Sequence, residues 1–308
     1  MASSVGYQRS ADVDASAGAH QINAGRLHAR VQPADGGRIA EFWVERPDGS
    51  RLDIIVPMQV SGFAPTSWPK AGIYPLVPYS NRVRNAEFPF EGKTVRLPVH
   101  PPERPHALHG FAQVRPWALT DHGPISLTMT YEHRADGWPW PFTASQLVSL
   151  DDEGLSVEMS VTNHGTTDMP LGLGLHPFLA IDAGDRMRFS ATHVWAIDAG
   201  GFGVASSALA DGDFDLRHDD KLQTLCLSGW QGRATLDRQA GAVVTITARA
   251  PLDHLVFHIP AGGAYACIEP VSHVSDAFNL AARGIAGTGL QILAAGESLT
   301  ASIRIEVT

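Results

Sequence analysis

The sequence predicts an all-β protein, one large antiparallel β-sandwich, and three observations carry that reading. Apolar residues recur with a period of two. Turn-forming clusters such as "PDGS", "ADGG", "EGK", "DDEG" and "RQAG" punctuate the chain at hairpin spacing. No amphipathic pattern of period 3.6 lasts beyond two turns, so any helix is short.

Taken in order, residues 1–20 are small, polar and aperiodic, as expected of a flexible lead-in to a single domain spanning 21–308. In "ISLTMTYEH", Ile125, Leu127, Met129 and Tyr131 fall on one face and Ser126, Thr128, Thr130 and Glu132 on the other. "LSVEMSVTN" does the same with Leu155, Val157, Met159 and Val161, and "VTITARA" and the terminal "SIRIEVT" behave alike. Such alternation describes half-buried antiparallel strands. No composition break marks a linker and no repeat is present. The expected product is a sandwich with long loops, closed edges and one face available to a ligand.

The 308 residues carry a formal charge of −9 with no long basic run, which argues against nucleic acid as a partner. Neither a secretory leader nor a membrane-spanning apolar segment is evident, so the expectation is a cytoplasmic protein with no membrane partner, a monomer or homodimer. Cys226 and Cys267 are the only cysteines and stand in no metal-ligand spacing, which suits free thiols in a reducing compartment.

Two polar residues interrupt apolar runs. His176 sits in "PLGLGLHPFLAI". A lone histidine there is ordinarily a core residue bonded through one nitrogen. Here Gly172 and Gly174 leave bare backbone of the kind a ligand approaches, and Pro177 is expected to end the ladder beside the ring. Glu269 sits in "YACIEPV". Its plain reading is a salt bridge to a nearby arginine; its functional reading is a base whose proton affinity is raised by burial. Arg82 and Arg84 alternate with Val83 and are expected to share a strand face, with Asn81 and Asn85 close by. His106 and His109 are three apart, but the surrounding Gly and Pro favour a loop, and no further ligands with supporting spacing accompany them, so no metal is expected. Trp117, Trp138, Trp140 and Trp230 could stack on a ligand ring, although core filling is the commoner fate of tryptophan.

An ordered set of motifs resembles the aldose 1-epimerase (galactose mutarotase) family: "NRVRNAEFPFEGK", "HALHGF", "LGLGLHPFL" and "CIEPVSHVSDAFN", after an opening "INAGRLHARVQPADGGRIAEF". Each alone is weak; four in the right order across residues 21–280 are specific. The resemblance implies a galactose mutarotase-like supersandwich with sugar in an open cleft and no cofactor. Residue by residue it implies His176 as general acid and Glu269 as general base, acting from opposite sides of the sugar ring. Arg82 would bind sugar hydroxyls with Asn81 lining the site, His109 would hydrogen-bond the sugar near the reacting atoms, and Phe178 would be the aromatic after the acid's proline. Two departures stand out. The family's sugar-gripping aspartate aligns with Thr224, with Asp219 or Asp220 as substitutes, and "HGF" replaces the commoner "HGG".

The activity so implied is interconversion of α and β anomers of an aldohexose or related sugar. Two alternatives share the fold. A hexose-6-phosphate epimerase-like enzyme would need extra cations, which Arg84, Arg104 or Arg115 could supply. A non-catalytic sugar-binding module would have no use for both an acid and a base.

Overall fold

The computed structural model describes residues 18–218 and 221–308. Residues 1–17 of the expected lead-in, and Asp219 and Asp220, lie outside them. Two large antiparallel sheets form the molecule. The eleven-stranded sheet runs, in spatial order, His20–Ala24, Leu27–Gln32, Arg38–Glu45, Ile73–Leu76, Gly174–Ala180, Tyr265–Val271, His254–Ile259, Gln223–Ser228, His193–Ile197 and Gly203–Ala208, with Arg51–Asp53 beside Arg38–Glu45. The nine-stranded sheet runs Ala118–His122, Ser126–His133, Phe142–Leu150, Gly154–Asn163, Ser298–Val307, Val243–Ala248, Arg233–Asp237, Arg186–Ser190 and Asp213–Arg217. Among the described residues neither sheet closes on itself, since each end strand has a ladder partner on one side alone, a departure from the closed edges the sequence suggested. One short helix, Ala277–Ala282, stands among the described residues.

The inner faces meet in one continuous core. Leu127, Met129, Tyr131, Leu155, Val157, Met159 and Val161 are all buried in it, as the alternation predicts. Ile303, Ile305 and Val307 complete the same layer, and Leu175, Leu179, Leu255, Phe257 and Ile268 face them from the larger sheet. Each such aliphatic side chain removed from water contributes about 1.5–3 kcal/mol. Ile125 departs from its predicted face: it precedes its strand and is half exposed. The four tryptophans singled out by sequence are all buried, as core filling predicts.

Hairpin chemistry sets several of the turns. At "DDEG" the Asp151 carboxylate accepts from the backbone N–H groups of Glu153 and Gly154, closing the turn between two long strands. At "ADGG", Gly36 adopts φ 83°, and a β-carbon there would overlap the Gln113 carbonyl, so only glycine fits.

Candidate active site

Adjacent strands bring the two polar anomalies together. Gly174 pairs with Val271 and Phe178 with Cys267, a register that sets position 176 opposite position 269. On its other side His176 is opposite Tyr74. Glu269 is opposite Val256, and Cys226 opposite Val256 in turn. Directly opposite residues share a face. One row therefore crosses the outer face of the larger sheet: Tyr74, His176, Glu269, Val256, Cys226. A parallel row holds Phe178, Cys267, His258 and Thr224. The runs look continuously apolar because the alternate residues enter the main core, while this face carries a second apolar cluster that includes Trp68, Phe178 and Trp195.

His176 Nε2 lies 3.2 Å from Glu269 Oε1, with only 10% and 5% of the two side chains exposed. Nδ1 of the histidine and Oε2 of the glutamate are buried without a hydrogen-bond partner. Interiors rarely tolerate such orphans. Two of them on touching side chains leave this pair with hydrogen-bonding capacity that the protein itself does not use. The imidazole is stacked between two aromatic rings, Tyr74 at 4.6 Å and 28° and Phe178 at 4.6 Å and 21°. His109 stands edge-on to it at 5.4 Å.

Burial pushes the Glu269 carboxyl up from 4.5 to about 8, with Lys70 pulling the other way. Burial also holds His176 well below the usual imidazole range, reinforced by His109, Lys70 and Arg38. Both groups thus resist charge, and near neutrality the pair shares a single proton. The absence of an arginine partner for Glu269 among the described residues disposes of the simple salt-bridge reading; its near neighbour is the imidazole.

Hydrogen bonds from distant segments shape the "NRVRN" stretch around this pair. Asn81, at φ 58°, donates its N–H to His109 Nδ1 at 3.1 Å, and His109, at φ 57°, donates its N–H to the Asn81 carbonyl at 2.9 Å. With Nδ1 accepting, the neutral ring carries its proton on Nε2 as a donor; burial, together with Lys70 and Arg82, keeps the ring uncharged. Arg82 is gripped by Glu103 through two hydrogen bonds of 2.8 and 3.0 Å. His273, buried and held near 4, donates from Nδ1 to the Val274 carbonyl and accepts the Ser80 N–H on Nε2. Asp276 accepts from the Arg84 N–H, and Asn279 donates to the Glu87 carbonyl. The "SDAFN" end of the last motif is therefore a brace for the Arg82 segment.

Several expectations need correction. His176 and Glu269 stand side by side rather than across a ring's width. Pro177 does not end its strand, which continues to Ala180. Gly172 and Gly174 serve packing rather than a ligand: a β-carbon on Gly172 would overlap the His273 imidazole, and one on Gly174 would crowd the Pro270 carbonyl and Val271. Arg84 does not share a strand face with Arg82, because the strand stops at Val83 and a 3-10 turn begins. Arg84 bonds Asp198 at 2.6 Å and Arg115 bonds Asp136 at 2.9 Å, so two of the three cations a phosphate would need are already paired with carboxylates. Phe178, 1% exposed, cannot offer its face to a sugar and reaches one only through the ring of His176. His106 accepts from the Asn85 N–H and packs on Phe202, away from His109's bond to Asn81.

Thr224 stands in the second row, exposed, its hydroxyl 2.9 Å from His258 Nδ1. Tyr74, Trp68, Lys70 and Arg38 escaped the sequence reading. Arg38 is fully buried, its guanidinium 4.3 Å from the Tyr74 ring centre and 2.9 Å from Gln113 Oε1. Lys70 is exposed beside Trp68, whose ring packs edge-on to Tyr74 and His109. No local pattern flags these four. Their place follows from Ile73–Leu76 lying next to the His176 strand. No helix among the described residues is long and apolar enough to cross a membrane.

Comparison with known proteins agrees with this architecture. The chain is 28% identical over 284 residues to the uncharacterized protein YphB of Escherichia coli K12, covering 88% of this chain and 93% of that one. Among solved structures it resembles a putative aldose 1-epimerase from Escherichia coli K12, with TM-score 0.81, 25% identity and coverage of 94% and 99%. A galactose mutarotase-like protein from Clostridium acetobutylicum shares the fold at TM-score 0.81 and 18% identity, with 94% of each chain covered. The sequence model for aldose 1-epimerase matches residues 21–306, and the chain belongs to that family.

Proposed function

We propose that the protein interconverts the α and β anomers of an aldose, with His176 as general acid and Glu269 as general base. One observation carries the reading: the 3.2 Å contact between a buried imidazole and a buried carboxyl, each with an orphaned polar atom. Ring opening removes a proton from the anomeric hydroxyl and delivers one to the ring oxygen. Both oxygens are bonded to the same carbon, so the acceptor and donor must be neighbours, as these are.

The shared proton dictates the sequence of events. Burial favours the neutral pair, protonated Glu269 with neutral His176. A proton shift across the contact gives carboxylate and imidazolium. The carboxylate then takes the hydroxyl proton while the imidazolium protonates the ring oxygen, the bond from the anomeric carbon to that oxygen breaks, and the carbonyl forms. This step returns the pair to its neutral form, so burial favours the direction of opening. Rotation about the C1–C2 bond presents the other carbonyl face, and closure runs the transfers in reverse with no net proton consumed. Proton transfers alone suffice, each worth roughly 10²–10⁴-fold.

His109, donating from Nε2, holds an oxygen near the reacting end, Arg82, oriented by Glu103, binds hydroxyls through its remaining N–H groups, and Asn81 lines the site. Phe178 acts by positioning the acid. Thr224 stands in for the family's sugar-gripping aspartate in this reading. Polarimetry or NMR of a freshly dissolved α-sugar tests the reading. His176→Asn and Glu269→Gln are each expected to lower kcat by at least ~100-fold with KM largely kept, and near-wild-type rates in either would overturn the assignment.

A further inference from the structure

The proton-transfer scheme leaves one neighbouring group unused. Cys267 lies two residues before Glu269 on the same strand and face, a free and buried thiol. A ligand atom from each of His176, Cys267 and Glu269 lies within 4.8 Å of the other two. Tetrahedral zinc, with bonds of about 2.0–2.3 Å, sets its ligand atoms roughly 3.3–3.8 Å apart, so about 1 Å of side-chain movement would close the site. His176 Nδ1 and Glu269 Oε2, buried and unpartnered, supply a second and independent sign that these side chains have coordination to spare.

We propose that His176, Cys267 and Glu269 form an inhibitory site for a thiophilic divalent cation of the zinc class. One thiolate, one imidazole and one carboxylate make a borderline-soft donor set that selects zinc, cobalt or cadmium over magnesium and calcium. Charge balances: the cation displaces one proton from the thiol and one from the carboxyl, and dication, thiolate, carboxylate and neutral imidazole sum to zero, so no net charge is left buried. Burial holds the Cys267 thiol and the Glu269 carboxyl above their ordinary ranges, and Glu269 raises the thiol further, so the cation must displace both protons against that burial. Lys70 pulls both groups the other way, while Arg38 and Lys70 oppose the approach of a bare dication. A fourth position remains for water or a sugar hydroxyl. With the cation in place the acid and the base are both occupied, and anomer exchange stops. The inhibition rests on the proposed function; the binding does not.

Cobalt(II) titration of the whole protein reads the binding without any sugar. Wild type is expected to develop a thiolate-to-cobalt charge-transfer band saturating at one equivalent. Cys267→Ser and Cys267→Ala should lose it and Cys226→Ser should keep it. In the paired assay, zinc should inhibit anomer exchange reversibly by chelator, and Cys267→Ser should need at least ~10-fold more zinc for half-inhibition at an unchanged metal-free rate. No band in the wild type, a band that survives loss of Cys267 or follows Cys226, equal zinc sensitivity in Cys267→Ser, or stimulation by zinc would each overturn the proposal. If the protein exchanged no sugar at all, the proposed function would fail while the cobalt band still decided the site.

Discussion

Replacing the Glu269 carboxyl by an amide should make the protein more stable at alkaline pH, and by an amount that grows with pH. The group rises from 4.5 to about 8 on folding because burial disfavours its charge. Between those values the native state holds a proton that the unfolded chain releases, so native protonation exceeds unfolded protonation and stability falls as pH rises through the window. At 1.36 kcal/mol per pKa unit, the full shift corresponds to on the order of 5 kcal/mol, an upper bound once local relaxation softens the burial cost. Glutamine is nearly isosteric with the protonated acid and does not titrate. Urea unfolding of wild type and Glu269→Gln, run at pH 5, 7 and 9, isolates the effect, because most other groups titrate alike in both proteins and cancel. The two should be similar at pH 5, and the variant should be ahead by a few kcal/mol at pH 9. A difference independent of pH would refute the claim that this carboxyl is buried against its charge.

The same proton accounting sets the activity profile. kcat/KM should fall as pH rises through about 8, where Glu269 loses the shared proton, and no limb should appear near 6.5, because His176 titrates well below its ordinary value. Gly172→Ala should destabilise the fold by about 2–4 kcal/mol in urea unfolding, since the new methyl displaces the His273 ring and strands the Ser80 N–H. Phe178→Leu should lower kcat about 10-fold in the polarimetric assay with KM little changed and a shifted pH profile, because it unstacks the acid without touching a hydroxyl. Thr224→Val should do the opposite, raising KM several-fold with kcat retained, because it removes an exposed hydroxyl at the end of the second row without touching the acid or the base.

Much of this architecture was legible because the strand period is a local property. Leu155, Val157, Met159 and Val161 announce their buried face within nine residues, and the sandwich follows from such runs. His176 and Glu269 were legible for a related reason: a titratable group in an otherwise apolar strand is costly enough to need an explanation. Their contact was not, since it depends on which strands become neighbours. Tyr74, Lys70 and Arg38 were hidden for the same reason, as no spacing ties them to His176. Local reasoning failed where two causes leave one signature. Gly172 reads the same whether a ligand or the His273 ring crowds the backbone. Arg82 and Arg84 read as alternating strand residues until Asp276 and Asn279, far along the chain, pull Arg84 into a turn. The "SDAFN" segment matched a family motif, yet its work is to hold another motif in place.

The central claim is that His176 and Glu269 act as one proton-sharing unit on one sugar, and a double-mutant cycle on anomer exchange measured by NMR tests it most directly. If they act as a unit, His176→Asn combined with Glu269→Gln should be scarcely slower than either single variant, because the first substitution already abolishes the paired transfer. Losses that multiply across the double variant, or a single variant that exchanges anomers at the wild-type rate, would contradict it.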